Sequence, residues 1–201
     1  MIRSFTVVLL VAITPCALAQ SFHWDSKKSH ELVRKNAVRF STELSPDDRS
    51  LLLHAIAARL RPGKADLDTH SEKQLLADAA DTRIELVDLD GDGKPEVIAQ
   101  SWGMETCGAT GNCAFWVFKK IDGGYKTILH GGAQVFVVEE TITNGFRDIT
   151  LGLHDSASES ELRPYRFSEG KYRKQGCFDA SWTKEIGGPI LKKPIITPCP
   201  M

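Results

Sequence analysis

The sequence predicts an α+β fold, with N-terminal helices packed on an antiparallel β-meander of about six to eight strands. Three observations carry this expectation. Apolar residues recur at helical spacing up to about Ala80. From Asp81 to about Trp182 the spacing falls to two, and turn residues return every 8–12 positions or so. The composition is that of a globular chain, with 42% hydrophobic and 25% charged residues among 201.

The first residues are an exception. Met1-Ile2-Arg3 is a basic start, Phe5 to Ile13 is apolar, and Ala17-Leu18-Ala19 is a small-x-small cleavage pattern. Residues 1–19 therefore read as a secretory signal peptide, whose apolar run is too short to span a bilayer. A lipoprotein site at Cys16 is the alternative, and Pro15 before it argues against acylation. The chain then divides into a helical segment at 20–80, a sheet at 81–182 and an extended Pro-rich tail at 183–201. The expected location is secreted or periplasmic. The mature chain lacks a second long apolar run, so no membrane span is expected in it. A net charge of −1 without a Lys/Arg block excludes a nucleic-acid binder.

Within the helical segment, Ser29 to Phe40 fits a first helix, because Leu32, Val33, Asn36, Ala37 and Phe40 fall near 3.6-residue spacing. Ser45-Pro46-Asp47-Asp48 supplies an N-cap, Pro in the first turn and two acids near the dipole's positive end. Leu51, Leu52, Ala55, Ile56, Ala58 and Leu60 give that second helix its apolar face, and Pro62-Gly63 stops it. Ser71 to Ala80 is a third helix with Leu75, Leu76 and Ala79 inward.

Strands are expected at Arg83–Val87, Glu96–Ser101, Ala114–Lys120, Tyr125–His130, Gln134–Glu140, Arg147–Leu153, Glu161–Phe167 and Lys171–Gln175. Asp122-Gly123-Gly124, Asn144-Gly145 and Ser168-Glu169-Gly170 are the turns, since Gly and Asn accept positive φ cheaply. Ala114, Trp116 and Phe118 share one face of their strand, Phe115 and Val117 the other, which makes that strand central. In the Arg147–Leu153 strand, Ile149, Leu151 and Leu153 face the core and the alternate residues face a wetter side.

The chemistry is concentrated in Asp88-Leu89-Asp90-Gly91-Asp92-Gly93-Lys94-Pro95-Glu96. Acids at alternate positions of a tight loop converge on one centre, and calcium takes six to eight or so oxygens in irregular geometry. The expected Ca2+ ligands are Asp88, Asp90, Asp92 and Glu96 by side chain and Lys94 by backbone carbonyl. Three alternate Asp without a counter-charge would repel, and a cation removes that cost. The competing reading is a solvated turn without an ion. An EF-hand is excluded, because Ala99 stands where its last carboxylate belongs and strands flank the loop. Asp88, Asp90, Asp92, Gly93 and Glu96, with Leu86 and Val97 beside them, resemble the strand–loop–strand calcium site of FG-GAP and VCBS-type repeats of integrin-like propellers and bacterial secreted proteins. The resemblance covers about residues 82–101 and occurs once, so it implies a loop and an ion, not a propeller.

Cys107, Cys113, Cys177 and Cys199 read as two disulfides in an exported protein. Of three connectivities, Cys107–Cys113 and Cys177–Cys199 is favoured: the first closes a flexible loop, and the second tethers the tail. His30-Glu31 lacks the second His of a zinc-protease helix, His130-Gly131-Gly132 reads as a turn, and His154-Asp155-Ser156 is too contiguous to form a triad. With no catalytic residues assigned, the expectation is a calcium-stabilised, non-enzymatic protein binding an unknown protein or glycan at the cell surface. The alternatives are an extracytoplasmic hydrolase, using acids near the loop or His154 with Asp155, and an inhibitor of an extracellular hydrolase that inserts its Cys107–Cys113 loop. Trp102, beside that loop, is a candidate for a binding surface.

Overall fold

A computed structural model describes residues 22, 24–60, 71–185 and 187–200. The signal-peptide and Cys16 readings, and the Pro62-Gly63 stop, lie outside the described residues. Helix α1 is Pro46–Leu60 and α2 is Glu72–Asp81. The Ser45 hydroxyl accepts from the Asp48 N–H at 3.1 Å, and the Ser71 hydroxyl from the Gln74 N–H at 3.2 Å. Each helix thus begins at the N-cap that its sequence offers. A short turn of helix, α3, spans Met104–Cys107.

Among the described residues ten strands form two antiparallel sheets. The first contains β1 (Arg83–Val87), β2 (Glu96–Gln100), β3 (Cys113–Ile121) and β4 (Gly124–Ala133) in sequential order. The second contains β5 (Val135–Thr143), β6 (Phe146–Ser156), β7 (Glu159–Ser168), β8 (Lys171–Lys174), β9 (Phe178–Ser181) and β10 (Ile195–Pro198). Its order is β10-β9-β7-β6-β5, with β8 also paired to β7. The expected single meander is therefore two sheets, and the chain crosses between them at Gln134. Strand periodicity reports which residues alternate, not which sheet a strand joins. His130-Gly131-Gly132 lies within β4 rather than in a turn, and the tail contributes β10.

Three apolar clusters explain the layering. Leu52, Ile56, Leu75 and Ala79 of the helices pack on Ile84, Val97, Trp116 and Phe118 of the first sheet. The opposite face of that sheet, through Ile98, Phe115, Val117 and Leu129, packs on Phe136, Ile149, Leu151 and Tyr165 of the second. As expected, β3 is interior and apolar on both faces. The helices cover the first sheet only, rather than forming an N-terminal layer over the whole meander.

The helix expected over Ser29 to Phe40 is not formed, and residues 24–44 run differently. They contain two 3-10 turns, Arg34–Asn36 and Val38–Phe40, in an otherwise extended segment. His30 pairs with Phe136 at the edge of β5, and Ala37 with Arg83 at the edge of β1. Trp24 packs on the outer face of the second sheet, Leu32 enters the inter-sheet core, and Val38 and Leu44 reach the helical layer. Edge pairing and three separate burials override the helical periodicity. The outer face of β6 is consequently drier than expected: Thr150 is 1% exposed and Asp148 7%.

Cys107–Cys113 and Cys177–Cys199 are both paired. Among the described residues no helix is long and apolar enough to cross a membrane.

Candidate metal centre

The loop between β1 and β2 begins at Asp88 and ends at Glu96, the first residue of β2. Gly91 and Gly93 have φ of 73° and 79°. An added Cβ at either would meet nothing within 4 Å, so the demand for glycine is conformational and not steric. The acids fasten the loop's own backbone. Asp88 accepts from the Gly91 and Gly93 N–H groups at 2.8 and 3.0 Å. Asp90 accepts from the Asp92 N–H at 3.2 Å, Asp92 from the Lys94 N–H at 2.8 Å, and Glu96 from the Leu89 N–H at 3.0 Å. Leu89 is 1% exposed and is buried in the inter-sheet core. Its carbonyl accepts from the Arg147 N–H of β6 at 2.8 Å. The loop is thereby fastened to both sheets.

Of the five expected ligands, three converge. One carboxylate oxygen each from Asp88, Asp90 and Glu96 lies within 4.8 Å of the others. That spread suits oxygens around a cation at about 2.3–2.6 Å. Asp92 stands at the margin, and Lys94 enters through its N–H.

Lys119, on β3, was missed. Its Nζ donates to Asp90 Oδ2, lies 3.3 Å from Glu96 Oε1 and 3.7 Å from Asp92 Oδ2, and sits 5.0 Å from the Phe146 ring centroid. The supposition that the acids lack a counter-charge is therefore corrected: an ammonium 29 residues away in sequence supplies one. Strand alternation contained the signal, since Lys119 follows Phe115 and Val117 on the inward face.

The electrostatics follow. Burial pushes the Glu96 carboxyl up, only partly offset by the Leu89 N–H, and the Asp90 charge pushes it further. Burial also works to raise Asp90, but the Lys119 ammonium and the Asp92 N–H together hold it below the usual carboxylate range. For Lys119, burial favours the neutral amine, yet Asp90 and Glu96 keep it charged beyond its ordinary pH. Four carboxylates against the ammonium groups of Lys119 and the loop's own Lys94 leave a net negative charge.

The other flagged residues do not assemble a second centre. His130 stacks on Trp116 toward the helical layer, its ring centroid 6.3 Å away. His154 exchanges backbone hydrogen bonds with the Asn112 amide on the second sheet. Trp102 is 56% exposed, with the Arg83 guanidinium 4.3 Å from its ring centroid.

No protein-family model matches the chain, and neither does any curated protein or solved structure.

Proposed function

We propose that this is an exported, calcium-stabilised, non-enzymatic binding protein whose 88–96 loop is of the FG-GAP/VCBS type. The convergence of Asp88, Asp90 and Glu96 on one centre supports this most directly. Lys119 is the one ammonium seated among the converging carboxylates, and with Lys94 it offsets only part of the loop's four negative charges; a divalent ion compensates more. Calcium would be held by those three side chains, with Asp92 and the Lys94 carbonyl completing the shell after small shifts. It would supply charge compensation and rigidity, not chemistry. Two disulfides and the leader-like residues 1–19 support export.

Because the loop is bonded to β6 through Leu89 and Arg147, ion binding tightens the junction of the two sheets. The test is thermal unfolding of the disulfide-intact chain. Millimolar calcium raises the melting temperature, and Asp90→Ala abolishes the rise; no shift in the wild-type protein at millimolar calcium would sink the proposal. One observation favours a protein as partner. Trp102 presents a half-exposed aromatic surface near the disulfide-closed 107–113 loop, the kind of residue that dominates interfaces.

A further inference from the structure

Strands β7, β9 and β10 are neighbours in the second sheet, and they bring the Cys177–Cys199 disulfide beside two acids. Glu161 of β7 pairs with Asp179 of β9, and Phe178 pairs with Pro198 of β10. The Cys199 N–H donates to the Cys177 carbonyl at 3.0 Å, which continues the β9–β10 ladder past both strands. Paired residues share a face of a sheet, as do residues two apart on one strand. Glu161, Asp179, Cys177 and Cys199 therefore stand on one side of the sheet. Strand pairing, and not the S–S bond alone, sets the two sulfurs side by side.

The distances suit a ligand set. One ligand atom each from Glu161, Cys177 and Cys199 lies within 4.8 Å of the others. Cys177 Sγ is 3.0 Å from Glu161 Oε1, and Cys199 Sγ is 3.4 Å from Asp179 Oδ1. A disulfide sulfur has no proton to donate, so these are sulfur–carboxylate contacts and not hydrogen bonds. In a tetrahedral site with Zn–S of about 2.3 Å and Zn–O of about 2.1 Å, sulfur and oxygen ligands stand about 3.6 Å apart and two sulfurs about 3.8 Å. Opening the S–S bond frees the sulfurs to reach that separation. The Arg163 guanidinium donates to both Glu161 oxygens at 2.6 and 2.8 Å and, with Lys174, holds the carboxyl below its ordinary range against burial. Each carboxylate oxygen keeps a second lone pair for a metal. The same two cations offset the excess negative charge of thiolates and carboxylates around a divalent ion. Glu161, Cys177 and Cys199 are all partly exposed, so a reductant and an ion can reach them.

We infer that Cys177, Cys199 and Glu161, with Asp179 or a water as fourth donor, bind a zinc-class divalent cation when their disulfide is reduced. Two thiolates select a borderline or soft cation over calcium and magnesium. A dithiol reductant supplies two electrons and two protons: the S–S bond breaks, two thiols form, and the dithiol becomes a disulfide. Zinc then makes two Zn–S bonds as both thiol protons leave to solvent. Strand β10 is thus pinned to β9 in either state, by a disulfide or by an ion. The site goes beyond the calcium proposal and does not need the 88–96 loop.

The test is titration of the full chain with cobalt(II), whose visible and near-ultraviolet bands report tetrahedral thiolate ligation, followed by displacement with zinc. The chain is reduced with a phosphine, which gives the same two electrons, takes oxygen from water and competes little for the metal. The reduced chain is expected to show tetrahedral thiolate bands that zinc removes, and the oxidised chain to show none. The oxygen-only 88–96 loop cannot give thiolate bands, so failure of that loop does not enter. Glu161→Gln weakens cobalt by about tenfold or more, Cys199→Ser abolishes the dithiolate spectrum, and Cys107→Ser leaves it in place. Should the cysteine variants fail to fold, Glu161→Gln decides the matter. A reduced chain that unfolds without metal and refolds with zinc supports the site. Cobalt without thiolate bands, wild-type affinity in Glu161→Gln, an unchanged spectrum in Cys199→Ser, its loss in folded Cys107→Ser, or a reduced chain that unfolds and that zinc does not restore overturns it.

Discussion

Lys119→Met isolates what the ammonium does for the loop. The substitution keeps an apolar stem against Phe146 and removes the charge that faces Asp90, Asp92 and Glu96. Removing one member of a buried ion pair costs about 3–5 kcal/mol, because its partner is left uncompensated. Here Glu96 is 2% exposed, but the Lys119 side chain is 31% exposed, so water screens part of the effect. About 2–3 kcal/mol is expected without calcium, a fall of about 5–10 °C in melting temperature for a chain of this size. Calcium should then rescue the variant more than it helps the wild type, which must first expel its ammonium. With a Kd of about 10⁻⁴–10⁻³ M, about 10 mM calcium stabilises by about 1.4–2.7 kcal/mol. The assay is differential scanning calorimetry in EDTA and in calcium, with Lys119→Met/Asp90→Ala as the variant that loses the response. Two results would refute the reasoning. If Lys119→Met melts with the wild type in EDTA, the ammonium stabilises nothing. If its calcium gain is the smaller of the two, ion and ammonium do not compete for one centre.

Other consequences are as direct. Leu89→Ala empties a fully buried site in the inter-sheet core and should cost about 2–5 kcal/mol in urea unfolding, while leaving the calcium response in place because no ligand is touched. Replacing Cys177 and Cys199 with Ser opens a loop of sequence separation 22 and should cost about 3 kcal/mol, with β10 becoming the first site of limited proteolysis. Tyr125 is pushed up to about 12, by burial and then by the Asp48 charge. Its hydroxyl favours the folded state below the unfolded value near 10, and that contribution is lost as pH rises toward about 12. The partly exposed ring limits this to about 1–2 kcal/mol. Tyr125→Phe should flatten the alkaline decline in stability without removing it, since burial raises Tyr172 as well.

What was legible in the sequence was local. Ser45-Pro46 and Ser71 start helices by satisfying N–H groups within their own first turns, and Asn144-Gly145 closes a hairpin with both residues at positive φ. Alternation placed eight strands to within a few residues. Features set by distant partners were not legible. The Ser29–Phe40 periodicity was outcompeted by two strand edges and three cores, none of which is visible from within that window. The short strand Phe178–Ser181 needs Leu162 and Ile196 beside it before its pattern means anything. The loop's acids are readable from their spacing, but their counter-charge comes from another strand, 29 residues away from Asp90. Alternation alone puts Asp148 on a wetter face, because nothing local says that the N-terminal segment and Trp24 cover that side.

The 88–96 loop treats its charge in a definite way. At the 88–96 loop every acid accepts from a backbone N–H, and a lysine supplies a cation, so the loop is already organised without an ion. Calcium bound there would exchange one cation for a stronger one, and its effect is expected in stability more than in shape.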